Sequence, residues 1–193
     1  MILNDIEIQN CCEKKGMITP FCKELISSIK DTKVISYGQS SFGYDIRMSA
    51  KDIRLFKKVT SDIVDPKRFD ETFLDDVSII FEGEEKYFIL PAHSYALGVT
   101  VECFNLPRDI TAICLGKSTY ARCGVFVNIT PLESEWQGYL TIEIANISPS
   151  PCRIYLNEGI AQLLFFKGNA PKISYNDRKG KYQNQPQTII LPR

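Results

Sequence analysis

From Val34 to Phe166 the chain is written in short apolar stretches, alternating and rich in β-branched and aromatic residues. Turn signals separate them at intervals of roughly 8–15 residues. This texture constrains the fold more than any other feature. A period of two sends successive side chains to opposite faces, so each stretch can bury one face as a strand. No stretch after Lys30 carries a sustained helical period. The strand candidates are Tyr44–Met48, Ile53–Phe56, Tyr87–Leu90, Tyr95–Val101, Ile110–Leu115, Val125–Thr130, Tyr139–Ile147, Cys152–Leu156 and Ile160–Phe166. So many short strands predict a mainly β fold of the sandwich, jelly-roll or barrel kind. Ahead of them, Asn4–Lys15 reads as a helix, with Asn4 or Asp5 as its cap and Gly16 as its stop. Phe21–Lys30 fits either a short second helix or an extended arm, and Val64–Asp70 an excursion from the sheet. The polar stretch Tyr175–Gln187 has few aliphatic residues to bury, and reads as a frayed tail or as a lid over a polar ligand.

Composition removes several function classes. The 193 residues are 44% hydrophobic and 24% charged, which a single globular domain can fold on. The formal net charge of +0 argues against a general nucleic-acid binder, because phosphate-backbone affinity needs an excess of cations. No apolar run reaches membrane-spanning length, and the N-terminus lacks a basic-then-apolar signal, so a cytoplasmic protein is expected. The seven cysteines are odd in number and include no Cys-x-x-Cys pair, which predicts reduced thiols. His93 is the single histidine; with no His-x-Glu and no Pro-Cys-x-x-Cys, a His/Cys zinc site is not expected.

Two features carry candidate chemistry. Gly116-Lys117-Ser118-Thr119-Tyr120-Ala121-Arg122 joins two strand candidates and combines two cations, two hydroxyls and turn backbone. That set suits an anion, above all a phosphate, although it also suits a plain polar connector. It is not a P-loop, since the first glycine of that pattern would fall on Thr111. In Tyr139–Asn146 alternation places Leu140, Ile142 and Ile144 on one face and Thr141, Glu143 and Ala145 on the other. Glu143 is then either a solvated surface carboxylate or a proton shuttle on a polar cavity wall.

The blocks around these residues resemble the dCTP deaminase family of the dUTPase-like superfamily. They read Gly-Lys-Ser-Thr-Tyr-Ala-Arg-Cys-Gly (116–124), Asn-Ile-Thr-Pro-Leu-Glu (128–133), Trp136-Gln137-Gly138, Thr-Ile-Glu-Ile (141–144) and Asn157–Leu163. Ile35–Gly38 with Gly43–Arg47, and Lys181-Tyr182-Gln183 with Gln185, resemble an early and a late family block. The resemblance implies a distorted jelly-roll or β-barrel of the dUTPase-like type, with a short N-terminal helix and a polar C-terminal lid. The expected division is a helical arm at 1–33, a β core at 34–170 and the lid at 171–193, all in one domain.

The resemblance implies hydrolysis of dCTP to dUTP and ammonia, supplying dUMP and dTTP synthesis. It implies a homotrimer with sites between subunits, and dTTP as an inhibitor. No metal is implied at the base, only Mg2+ carried by the substrate triphosphate. Carried over, Glu143, Ser118 and Arg122 are catalytic: Glu143 as general acid/base, Ser118 and the backbone at Thr130-Pro131 placing the water, Arg122 supporting charge. Substrate contacts fall to Lys117 and Thr119 at the phosphates, to Tyr120, Ala121, Pro131, Thr141, Ile142 and Gln162, and to Tyr175, Lys181 and Gln185 from the tail. One departure matters: the dUTPase water-activating Asp before Trp136 is missing, with Glu133 and Glu135 nearby. Release of dUTP is therefore expected. The alternatives are a bifunctional enzyme releasing dUMP and a catalytically silent nucleotide-binding module.

Overall fold

The computed structural model describes residues 1–58 and 63–192. Residues 59–62, inside the expected β core, and Arg193, at the end of the expected lid, lie outside the described residues.

Helix α1 spans Asp5–Lys15 and begins with a full capping box. The Asn4 side chain accepts from the Glu7 N–H at 3.0 Å, and the Glu7 carboxylate accepts from the Asn4 N–H at 3.2 Å. Gly16 ends it in the left-handed conformation at φ 63°. The rest of the 1–33 arm holds no helix: β1 is Ile18–Thr19 and β2 is Ile26–Ile29, so Phe21–Lys30 takes the extended-arm alternative, with its strand confined to β2.

The core strands follow as β3 (Thr32–Ser40), β4 (Gly43–Phe56), β5 (Leu74–Asp76), β6 (Ile80–Glu82), β7 (Glu85–Leu90) and β8 (Ser94–Asn105). Then come β9 (Ile110–Gly116), the single-turn helix α2 (Ser118–Ala121), β10 (Val125–Asn128), β11 (Gln137–Asn146), β12 (Cys152–Tyr155) and β13 (Gly159–Lys167). Every strand candidate appears at its place. Tyr44–Met48 and Ile53–Phe56 are two parts of one long strand, β4, because the register shift between Met48 and Ile53 bends it without ending it. The Val125–Thr130 candidate stops at Asn128.

The main sheet runs β10-β11-β8-β4-β13-β9, with β1, β2, β3 and β5 joined at its sides. Strand β12 pairs with β7 and β7 with β6 in a second, three-stranded sheet. The main sheet is curled. Its two path ends meet where Gly116 of β9 lies against Val127 of β10, an added Cβ standing 3.3 Å from the Val127 carbonyl oxygen. Such curling gives a half-closed barrel whose inside is filled by Tyr44, Ile46, Met48, Phe104, Ile142, Ile144, Leu163 and Phe165, all fully buried. This is the expected mainly β, barrel-like architecture.

An ion pair reaches into this core. Glu102 of β8 is fully buried and accepts from Arg47 Nε at 2.7 Å and from the Arg47 backbone N–H at 3.0 Å. Burial pushes the Glu102 carboxyl above its ordinary range, while the Arg47 charge and hydrogen bonds pull it back.

Candidate functional site

Glu143 lies in the middle of β11, and alternation decides what surrounds it. Ile142 and Ile144 point into the core, which leaves Thr141, Glu143 and Ala145 on the other face; Leu140, inside the register shift between Tyr139 and Thr141, is buried and also lines the cavity on that face. Across the strand pairs, Glu143 stands opposite Asn128 of β10 and Leu97 of β8. Asn128 Nδ2 donates to Glu143 Oε2 at 2.5 Å.

A cavity of about 660 Å³ opens over this face. Leu97, Leu140, Thr141 and Glu143 form its sheet side, and the segment from Ile129 to Glu133 with Trp136 forms one wall. Phe56, Phe69 and Tyr95 form an aromatic wall, and Tyr175, Tyr182, Gln185, Ile190 and Pro192 of the tail close it. The buried Trp136 indole N–H has no hydrogen-bond partner among the described residues. Burial and then the Glu143 charge push the Tyr95 hydroxyl and the Cys114 thiol each up to about 12, so both stay neutral beside the carboxylate.

The tail is tied down across the sheet. Gln185 Nε2 donates to Thr141 Oγ1 at 2.8 Å. The Tyr139 N–H donates to the Gln185 carbonyl at 3.0 Å, and the Asn184 N–H to the Gln137 carbonyl at 2.8 Å. These bonds require the tail backbone to run directly over Gly138, whose φ of 130° and missing Cβ leave the space. Further back, the Tyr175 ring packs on Trp136 at 5.3 Å between centroids, Asp177 pairs with Arg108 at 2.6 Å, and Arg178 pairs with Glu133. Backbone N–H donation from Ser174 and the Arg108 guanidinium hold the Asp177 carboxyl below its usual range. The polar stretch from Tyr175 is thus packed over the cavity.

The turn 116–122 stands elsewhere. It enters β10 at the Val125–Asn146 pair, three residue pairs along β11 from Asn128–Glu143. That is about 10 Å at strand spacing. None of its residues lines the cavity. The Lys117 side chain is nearly buried; its ammonium pairs with Asp45 and donates to Ser36 Oγ at 3.1 Å. Asp45 also accepts from Gln162 Nε2 at 3.0 Å, and Gln162 reaches Ser40 Oγ at 3.1 Å. Tyr120 is in the core and its hydroxyl accepts from the Tyr155 N–H at 2.9 Å. Ser118, Thr119, Ala121 and Arg122 are exposed.

Of the residues singled out in the sequence, Pro131, Thr141, Glu143, Tyr175 and Gln185 therefore meet at one cavity. Lys117, Ser118, Thr119, Tyr120, Ala121, Arg122 and Gln162 gather at a second place, and Ile142 faces the core. Lys181 lies against the Tyr182 ring, its ammonium 5.3 Å from the centroid. Sequence reasoning assigned no role to Asn128, Tyr95 or Asp45. Only strand register brings Asn128 to Glu143. The Asp45–Lys117 pair joins residues 72 positions apart. Among the described residues no group of three or more His, Cys, Asp or Glu side chains could hold a metal ion, and no helix is long and apolar enough to cross a membrane.

A family model described as "dCTP deaminase-like" matches residues 2–168. A protein of Acidovorax sp. (strain JS42) named dCTP deaminase is 50% identical over 194 residues, covering 100% of this chain and 98% of that one. A protein of the same name from Acidobacterium capsulatum is 51% identical over 180 residues, 93% of this chain and 92% of the other. Among solved structures, the 2'-deoxycytidine 5'-triphosphate deaminase from Agrobacterium tumefaciens superposes with a TM-score of 0.54 at 16% identity. That match covers 86% of this chain and 48% of the other, and it speaks for the fold alone.

Proposed function

This chain belongs to the dCTP deaminase family, and from that membership together with the Glu143 cavity we propose that it hydrolyses dCTP to dUTP and ammonia. The observation that carries the mechanism is the Glu143 carboxylate on the sheet side of an aromatic-walled cavity closed by the tail. The cavity of about 660 Å³ falls within the range that takes a small-molecule ligand. Glu143 accepts a proton from water as that water adds to C4 of cytosine. It passes that proton to the ring nitrogen, then takes the second proton from the hydroxyl now on C4 and delivers it to the leaving amine, so that the carbonyl forms as ammonia departs. A positioned acid–base group contributes roughly 10²–10⁴-fold, and orientation in the closed cavity supplies more. Magnesium in this reading is part of the substrate, on the triphosphate oxygens.

Ser118, Thr119 and Arg122 belong to the same reading through a second copy of the chain. They are exposed and stand away from their own cavity. Nearby on the outer faces of β9 and β10, Ile113, Leu115 and Phe126 are 39%, 53% and 59% exposed, an apolar surface that a neighbouring subunit can cover. A homotrimer with sites between subunits brings one chain's turn to the next chain's Glu143. The pairing of Glu133 with Arg178 and of Glu135 with Arg108 engages both acids near Trp136, which supports release of dUTP over dUMP. A cytoplasmic enzyme is part of the same proposal.

The experiment is ammonia release from dCTP with chromatographic identification of the product. Glu143→Gln should keep nucleotide binding and lose ammonia release by at least about 10²-fold. Mixing Glu143→Gln with Arg122→Ala should restore part of the activity, since mixed trimers contain some intact sites. Full activity of Glu143→Gln would overturn the mechanism. Accumulation of dUMP and pyrophosphate would overturn the product assignment.

A further inference from the structure

We propose that Asn128 is a positioning residue for the deamination, fixing one oxygen of Glu143 and leaving the other as the proton carrier. The inference rests on the catalytic role of Glu143 given above.

Asn128 and Glu143 are directly opposed in the β10–β11 ladder, so their side chains leave the same face of the sheet side by side. Asn128 Nδ2 lies 2.5 Å from Glu143 Oε2. The direction of the bond is fixed by chemistry. An ionised carboxylate only accepts, so the amide must turn its NH₂ toward it and not its carbonyl. On its other side Glu143 faces Leu97, which offers no polar group. Of the two carboxylate oxygens, Oε2 is therefore engaged by the amide, and Oε1 is left for water and then for the transferred proton.

This arrangement suits a general base. A neutral donor fixes the rotamer of the carboxylate through a charge-assisted hydrogen bond. When Oε1 takes the proton of the attacking water, Oε2 still accepts from Asn128, so the bond survives the proton transfer. The carboxyl need not rotate before it passes that proton to the cytosine ring, or between taking the second proton from the C4 hydroxyl and giving it to the leaving amine. Without the amide, Glu143 has two equivalent oxygens and a free rotation about its last bond. Productive alignment then becomes one arrangement among several.

The test uses full-length enzyme and near-isosteric variants at a position exposed in the single chain, each checked for wild-type oligomer size by light scattering. Asn128→Leu keeps the shape and removes the donor; Asn128→Asp does the same and places a second carboxylate beside the first. With dCTP as substrate, kcat should fall by roughly 10–100-fold in Asn128→Leu and further in Asn128→Asp, with KM nearly unchanged. Asn128→Gln, which keeps the donor on a longer arm, should regain part of kcat. In a Glu143→Gln background, Asn128→Leu should change the residual rate by less than about twofold. Wild-type kcat in both Asn128→Leu and Asn128→Asp would overturn the inference, as would equal losses on top of Glu143→Gln. The failures are separable: an active Glu143→Gln enzyme removes the mechanism itself, whereas an inactive Glu143→Gln with fully active Asn128 variants removes only the positioning role.

Discussion

Gly138→Ala tests how the tail is held over the cavity. An added Cβ would stand 2.5 Å from the Gln185 backbone nitrogen and 2.7 Å from its carbonyl oxygen, both too close and both backbone. The φ of 130° already disfavours any side chain there. The cheapest relief is for the tail to lift. Three hydrogen bonds then go: Tyr139 N–H to Gln185, Asn184 N–H to Gln137, and Gln185 Nε2 to Thr141. At about 1 kcal/mol net for each, docking weakens by about 3 kcal/mol, and the undocked population rises about 150-fold. Trypsin reads this directly, because Lys181 lies in the segment that would lift. When opening is fast relative to cleavage, the nicking rate follows the open population. The variant should therefore be nicked after Lys181 on the order of 10² times faster than wild type, with mass spectrometry assigning the site. kcat/KM for dCTP should fall by up to the same factor, because substrate binding must now close the tail. Gly168→Ala is the control, since an added Cβ there meets nothing within 4 Å. Equal nicking rates in Gly138→Ala and wild type would refute the argument that the tail's position depends on this close approach.

Two further outcomes follow from the burial of ionisable groups. Burial raises the Glu102 carboxyl above its ordinary 4.5, so the native state binds that proton more tightly than the unfolded chain does. The site's contribution to stability is fully present below about pH 4.5 and is lost as pH rises through the folded value. Glu102→Gln should flatten this part of the stability curve in urea unfolding as pH rises above about 4.5, and parallel wild-type and variant curves would contradict it. The Cys114 thiol, pushed up to about 12 by burial and by Glu143, should resist iodoacetamide in the native protein at about pH 8, whereas the exposed Cys123 should react first. Early labelling of Cys114 in a peptide map would show that its surroundings are more open than the fold implies.

Much of this protein was legible along the chain. The capping pattern at Asn4 and Glu7 and the stop at Gly16 marked α1, because caps act within one turn. Alternation marked the strands and set Glu143 on the face away from Ile142, because the strand period acts over a few residues. The matching blocks carried the family. The long strand β4 was read as two pieces because its register shift is made by pairing with β8, not by its own residues.

What the sequence by itself determined, then, was which segments are strands, which face each residue takes and which family it resembles. Only the tertiary structure decided who meets whom. The turn 116–122 shows the difference. Its cations and hydroxyls suited either an anion or a plain polar connector; the structure gives the Lys117 ammonium to Asp45 and keeps the whole turn out of its own chain's cavity. Asn128 reached Glu143 in the same way, through the register of β10 on β11. Register, sheet curl and tail docking are fixed by contacts between residues far apart in sequence. A short-range pattern of apolar and polar residues carries no record of them.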